Sequence, residues 1–416
     1  MSRVDKIMDK FEGALIGSAV GDAFGYPLMA LTYAEICQRF EKNGALELAV
    51  SRKTGTALFT EATQMSLFTA DGIIWANVEN VGRENSAVAN YVFYSYQLWL
   101  YMQTRSIAGS EYQWLFDKKQ NPNLSSLLRS KGLGKNRRLG DSNIDALFDA
   151  RNGIFGTLSR KVNDYTDAGA VKRVLPVGLF YGKNSDMAFR IGCDVGAITH
   201  SSPNGYLPCG VYTAIIAELL QGNNVDDAIN EAMALLAAYP DHENTYSVLQ
   251  KAVDLANDDD VEPREGLDEL GDGISAISCL AIALYSAILH QTNYKFAIAL
   301  AANHDGDSSA CAAITGGILG VWYGLKRLPK NWTKKVQYRS LLETVADVLY
   351  DNSDFQEPDE DDEDHSYGGV VKEEDEKDEA DEKDEEDVKE EEAENDTEDK
   401  KGKDKEDDND DETTEE

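Results

Sequence analysis

Along most of the first 350 residues, apolar positions recur three and four apart, the spacing of one face of a helix. The stretch VGRENSAVANYVFYSYQLWLYMQTR carries aromatic and aliphatic residues at that spacing around residues 85–105. CGVYTAIIAELLQG ends at Gly222, a helix stop. NVDDAINEAMALLAAY opens on Asn224 as an N-cap, with acids in its first turn and apolar residues at i, i+3 and i+4. SAISCLAIALYSAILH and ACAAITGGILGVWYGLKRL are rich in Ala, Gly and Ser, which let helices approach closely. Near the start, Gly13, Gly17, Gly21 and Gly25 repeat every four residues and predict a glycine face set against a neighbouring helix. No alternating, period-two pattern is sustained, so the expected class is all-α, a single helical domain over residues 1–350. Polar loops at 131–141, 162–170, 201–209 and 257–273 are expected to form one rim of the bundle, where function usually sits.

Charge changes this picture at the C-terminus. Of the formal net charge of −36, most lies in residues 351–416, which hold 37 Asp/Glu against 8 Lys. With few aromatics and almost no aliphatics, that segment cannot bury enough surface to offset its chain entropy. It is expected to be a disordered acidic tail from about Asp354. Such a tail acts as a solubiliser or docks a basic protein partner, and it would repel phosphates. With no basic stripe on the body either, nucleic-acid binding is not expected. No apolar run reaches the ~18–20 residues of a membrane span. Cys37, Cys193, Cys209, Cys279 and Cys311 are scattered, with no C-x-x-C pair, and the first ten residues are too charged for a signal peptide. Reduced thiols in a cytoplasmic protein are the expectation.

Four segments carry candidate chemistry: Gly21-Asp22-Ala23-Phe24-Gly25-Tyr26-Pro27; Phe59-Thr60-Glu61-Ala62-Thr63-Gln64-Met65; NDYTDAGAVKRVLPVGLF at 163–180, with Thr199-His200-Ser201-Ser202-Pro203 after it; and NHDGDSSACAAITGGILG at 303–320. Read singly, each has a plain structural meaning. Thr60 can cap a helix, Asp22 can bond local N–H groups, and His200 can be a satisfied loop histidine. Asp305-Gly306-Asp307-Ser308 reads as D-x-D-S, an oxygen cluster suited to a hard cation.

Taken in order, the segments resemble the ADP-ribosylglycohydrolases over roughly residues 10–345. GALIGSAVGDAFGYPL is similar to the family's opening G-A-[LI]-x-G-x-A-x-G-D-A-x-G-x-P, and FTEATQMSLFTADGI to its [YF]-T-D-D-T-Q-M-[TS] segment. GAVKRVLPVGLF looks like G-x-M-R-x-x-P-[LVI]-G-L, and ITHSSPNGYLP like T-H-x-x-P. NHDGDSSACAAITGGILG resembles N-H-S-G-D-S-D-S-T-G-A-I-x-G-x-I-x-G. The resemblance implies an orthogonal all-α fold with two Mg²⁺ at a central cleft that binds ADP-ribose and cleaves its bond to an acceptor. It implies that Thr-Asp-Asp and Asp-x-Asp-Ser/Thr supply the metal ligands. It also points to Asp22, Asp167, Gly169, His200 and Tyr206 for ligand binding.

The departures fall on those ligands. Thr60-Glu61-Ala62 stands for Thr-Asp-Asp. The flanking AANH and AITGGILG set a register in which Asp307 matches the first aspartate, Ser309 the second and Ala310 the hydroxyl, leaving Asp305 two residues, or about 200° of helix, out of step. Met29 stands where many members carry glutamate, so no confident catalytic residue is left. Asp167 and Ala170 stand where glycines are common. Thr60, Glu61, Asp305, Asp307 and Ser308 remain as residual metal candidates, enough for one weakly held Mg²⁺ rather than two. Three readings follow: a pseudoenzyme keeping a cleft for ADP-ribose or an ADP-ribosylated protein, an active hydrolase with a rearranged site, and a chaperone-like protein acting through its tail.

Overall fold

The computed structural model describes residues 3–356, apart from 41, 82–86, 107–108, 118–125, 138–139 and 151–152. The expected acidic tail lies outside the described residues from 357 onward; its first residues are packed on the body, with Asp354 N donating to the Phe180 carbonyl at 3.2 Å and the Phe355 ring 6.1 Å from that of Phe11. Sixteen α-helices occur among the residues described. The first eight are α1 (Arg3–Gly25), α2 (Tyr33–Arg39), α3 (Glu61–Val78), α4 (Val88–Thr104), α5 (Asp141–Asp149), α6 (Leu175–Phe180), α7 (Ser185–Ala197) and α8 (Pro203–Gln221). The others are α9 (Val225–Leu236), α10 (Glu243–Ala256), α11 (Pro263–Leu270), α12 (Ala276–Leu289), α13 (Tyr294–Ala302), α14 (Ser308–Tyr323), α15 (Lys330–Thr333) and α16 (Arg339–Asp351). Extended pairing among these residues is limited to isolated bridges, so the all-α expectation holds. No single described helix is long and apolar enough to cross a membrane.

Local chemistry sets many of the boundaries. Asn224 caps α9 through its side chain, which accepts from Asp227 N at 2.8 Å. Gly222 ends α8 at φ +112°, a left-handed conformation that glycine adopts without a Cβ clash. Ser275 caps α12 and Asp307 caps α14. Two expected loops are partly helical. Pro203 opens α8 because a proline at the first helical position gives up an N–H that has no partner there, and Pro263 opens α11 in the same way.

The glycine face on α1 finds its neighbour in α14, and the two run antiparallel. A Cβ added at Gly13 would meet the Gly320 oxygen, one at Gly17 the Gly316 oxygen, one at Gly21 the Ala312 oxygen and one at Gly25 the Ser308 oxygen. Backbone therefore lies on backbone for more than three turns. This seam brings Asp22, near the end of α1, against Ser309 at the start of α14. Packed beside it, α3 is buried at every position from Glu61 to Ala76, the pattern of a central helix.

Gly17→Ala would put a methyl 2.5 Å from the Gly316 oxygen, where neither backbone can yield cheaply. The expected cost is about 3 kcal/mol in urea unfolding, the upper range for overpacking. Ala at exposed Gly55, whose Cβ would meet nothing within 4 Å, serves to separate crowding from backbone strain.

Candidate functional site

The N-termini of α3 and α14 converge on the end of α1, and each brings unpaired backbone N–H groups. Asp22 answers most of this demand. Fully buried, its carboxylate accepts from Thr60 N at 3.0 and 3.1 Å, from Thr63 N at 3.0 Å, from the Thr63 hydroxyl at 2.6 Å and from the Ser309 hydroxyl at 2.6 Å. Thr60 caps α3, its Oγ accepting from Ala62 N at 3.2 Å. Asp307 caps α14 through Oδ1, which accepts from Ala310 N at 3.0 Å. Ala62 and Ala310 enter the cluster only through their backbones.

Between the two helix starts lies a lysine. Lys172 Nζ is 2.7 Å from Glu61 Oε1 and 3.7 Å from Asp307 Oδ2. The lysine side chain is 7% exposed, that of Glu61 0% and that of Asp307 17%. Glu61 Oε1 also accepts from Gly140 N at 3.1 Å, whereas Oε2 is buried without a hydrogen-bond partner. Burial alone would lower the Lys172 pKa, but the charges of Glu61, Asp307 and Asp22 outweigh it and hold the ammonium protonated. Burial pushes the Glu61 carboxyl above its ordinary range, and Lys172 offsets this only in part. With an ammonium at 2.7 Å, the charged pair is the form this geometry supports.

Lys172 sits in a 3-10 turn, Val171–Arg173, where successive side chains point about 120° apart. Arg173 therefore faces another way. It donates to Asn143 Oδ1 and to the Thr199 hydroxyl, each at 2.7 Å, and its guanidinium lies 4.5 Å from the centre of the Tyr96 ring. Asn143 in turn donates to the Gly169 carbonyl at 3.2 Å. Asp167 Oδ1 accepts from Gly169 N at 2.9 Å and from the Ser142 hydroxyl at 3.0 Å, and faces His200 Nε2 at 3.1 Å. The Thr199 hydroxyl lies 2.8 Å from His200 Nδ1. Two backbone bonds, Ala168 N to the Ile274 oxygen and Ala276 N to the Thr166 oxygen, hold the Asp167 segment against the start of α12. Burial lowers the His200 pKa, so the fold favours the neutral ring.

The remaining sequence candidates make no side-chain bond to this centre. Asp305 accepts from Tyr33 N at the start of α2. Ser308 reaches the His304 carbonyl at 3.5 Å. Met29 closes the short turn after α1, its N–H donating to the Gly25 and Tyr26 carbonyls. Tyr206 is buried on α8, and its titrating neighbours are Cys193 and Asp241. Sequence reasoning missed Lys172 and Arg173. The available signal was a Lys-Arg pair inside the apolar run Ala170–Pro176, with lysine at the place of the quoted pattern's methionine.

A pair of divalent cations does not fit this donor set. Each Mg²⁺ takes six oxygens at about 2.0–2.1 Å. Here Asp22 and the Ser309 hydroxyl are spent on each other and on α3, positions 62 and 310 offer no side-chain oxygen, and an ammonium stands between the two remaining carboxylates. Among the described residues, no three His, Cys, Asp or Glu side chains gather as a metal centre.

The ADP-ribosylglycohydrolase family model matches residues 3–359. ADP-ribosylarginine hydrolase Tri1 of Pseudomonas putida is 22% identical over 353 residues, covering 84% of this chain and 80% of that protein. ADP-ribosylhydrolase ARH3 of Bos taurus is 24% identical over 215 residues, 45% of this chain and 57% of that one. A solved structure titled ADP-ribosylglycohydrolase-related protein complex superposes with a TM-score of 0.51 at 18% identity, covering 84% of this chain and 99% of that chain, and so shares its fold.

Two outcomes test the centre. Asp22→Asn would turn an amide N–H₂ toward groups that already donate, and is expected to lower the unfolding free energy by about 3 kcal/mol; Ser309→Ala, which removes one donor, by about 1 kcal/mol. Urea melts of both variants measure this. For His200, pH has no leverage above the unfolded pKa of about 6.5, where the ring is neutral in both states. Below it the unfolded chain takes a proton that the folded ring resists, so stability falls with pH. His200→Gln is expected to reduce the loss of stability between about pH 7 and 5 relative to the unaltered protein.

Proposed function

This chain belongs to the ADP-ribosylglycohydrolase family, and from that premise we propose that it recognises ADP-ribose or an ADP-ribosylated protein while being impaired in the family's metal-assisted hydrolysis. The family is generally metal-dependent. The observation that carries the reading is the use of Ser309. Where the family pattern has a second aspartate, this hydroxyl donates to Asp22 at 2.6 Å, and Ala62 and Ala310 leave two more ligand positions without oxygen.

The set beside Arg173 supports ligand recognition. Asp167, whose side chain is 36% exposed, is held by Gly169 N and the Ser142 hydroxyl and faces His200, which limits the ordering cost of binding. The Tri1 and ARH3 names concern ADP-ribosyl linkages, one of them to arginine. An ADP-ribosyl group is accordingly the substrate class proposed here. A second reading, an active hydrolase holding one Mg²⁺ through Thr60, Glu61, Asp305, Asp307 and Ser308, is weakened by Asp305 turning to Tyr33 and Ser308 to the His304 carbonyl.

Calorimetric titration with ADP-ribose is expected to give saturable binding of similar strength with and without Mg²⁺, and ADP-ribosylated protein should not be turned over faster when Mg²⁺ is added. Efficient Mg²⁺-dependent release would overturn this reading. A Cβ at Gly169 would come within 2.8 Å of Asp167 Oδ1 and 3.0 Å of both Asn143 Nδ2 and His200 Cε1. Gly169→Ala is therefore expected to weaken ADP-ribose binding about tenfold, roughly 1.4 kcal/mol, in the same titration.

A further inference from the structure

We propose that the Lys172 ammonium is the resident cation of this centre, a covalently tethered charge that holds Glu61 and Asp307 together and keeps divalent metal out. The inference deepens the reading above and rests on its account of the altered ligand set. It is carried by a separate observation, the lysine itself.

The geometry is specific. A buried carboxylate on the first residue of α3 and a capping carboxylate on α14 both lie beside Lys172 Nζ, at 2.7 and 3.7 Å. Buried ions are retained where they are paired, since removing one partner strands the other in a poorly solvated interior. Asp22 is already satisfied by five hydrogen bonds to four donor groups, so the two carboxylates left needing a cation are Glu61 and Asp307. Arg173 is turned to Asn143 and Thr199 and cannot serve them. Lys172 cannot readily withdraw, because its turn is flanked by Ala170, Val171, Val174 and Leu175, all with no exposed surface.

An ammonium and a hard divalent ion differ in what they ask of the protein. Mg²⁺ or Mn²⁺ demands about six close oxygens and tolerates no neighbouring cation within a few ångströms. An ammonium has three N–H groups and no coordination geometry to complete. The residues present meet the lesser demand. Glu61 Oε2, buried without a hydrogen-bond partner, is an oxygen that a metal ion could take up once the ammonium is gone. The structure thus assigns Lys172 a function in the charge balance of this centre, and makes its assembly independent of divalent metal.

The test uses the full chain in metal-free buffer with Mn²⁺ alone as probe, followed by thermal unfolding and calorimetry. The unaltered protein is expected to show the same midpoint with chelator and with millimolar Mn²⁺, and only the heat that Glu61→Gln also gives, which belongs to the acidic residues outside the centre. Lys172→Met should unfold at a lower temperature in chelator, rise by several degrees with Mn²⁺, and give a binding heat absent from the parent. Lys172→Met/Glu61→Gln, which removes both charges, should regain stability and lose the Mn²⁺ response. Mn²⁺ binding by the unaltered protein that Glu61→Gln abolishes would overturn the proposal, and so would a Lys172→Met variant as blind to Mn²⁺ as the parent. Should Lys172→Met fail to fold, the double variant decides. Recovery supports the charge role, and failure to recover makes Lys172 a packing residue and sinks the idea. None of these readouts involves ADP-ribose, so the binding proposal can fail independently.

Discussion

The contact between α1 and α14 is the constraint on which the centre depends. Four glycines remove every Cβ from one face of α1, so the two backbones lie closer than side chains would allow. That closeness gives Asp22 its reach. A helix pair held a few ångströms farther apart could not let one carboxylate accept from Ser309 on α14 and from Thr60 and Thr63 on α3 at once. Packing of backbone against backbone and satisfaction of two helix starts are thus one arrangement.

Around it, charge is distributed with a clear division. Asp22 meets N–H and hydroxyl donors, Glu61 and Asp307 meet an ammonium, and Arg173 meets neutral oxygens and an aromatic face. The 3-10 turn makes the division possible by sending two adjacent basic side chains in different directions. One reaches toward the two helix starts. The other braces the Asn143–Gly169–Asp167–His200 wall, where an ADP-ribosyl group is proposed to bind.

Much of this was legible in the chain. The glycine spacing on α1, the Asn224 cap and the Gly222 stop are short-range signals with a local physical cause, and the structure reproduces them. At 303–320, Asp307 lies beside Lys172 while Asp305 bonds Tyr33, 272 residues away in sequence. Less was legible where a residue's meaning depends on distant partners. Pro203 reads as a break until its place at the first helical position is seen. Lys172 looks like an unremarkable half of a Lys-Arg pair until α3 and α14 bring two carboxylates to it. Nothing in local sequence says that residue 172 will meet residues 61 and 307.

The Ser309 hydroxyl also limits which side chains position 309 can take. Returning an aspartate to that position would set its carboxylate against Asp22 Oδ1, where the hydroxyl now donates at 2.6 Å. Without a metal already bridging them, two anions would repel in a buried place. Removing Lys172 first would leave its own pair of anions uncompensated. Each of these two changes alone therefore adds uncompensated negative charge to a buried place. The charge count of the centre is thus set jointly by the hydroxyl at 309 and the ammonium at 172.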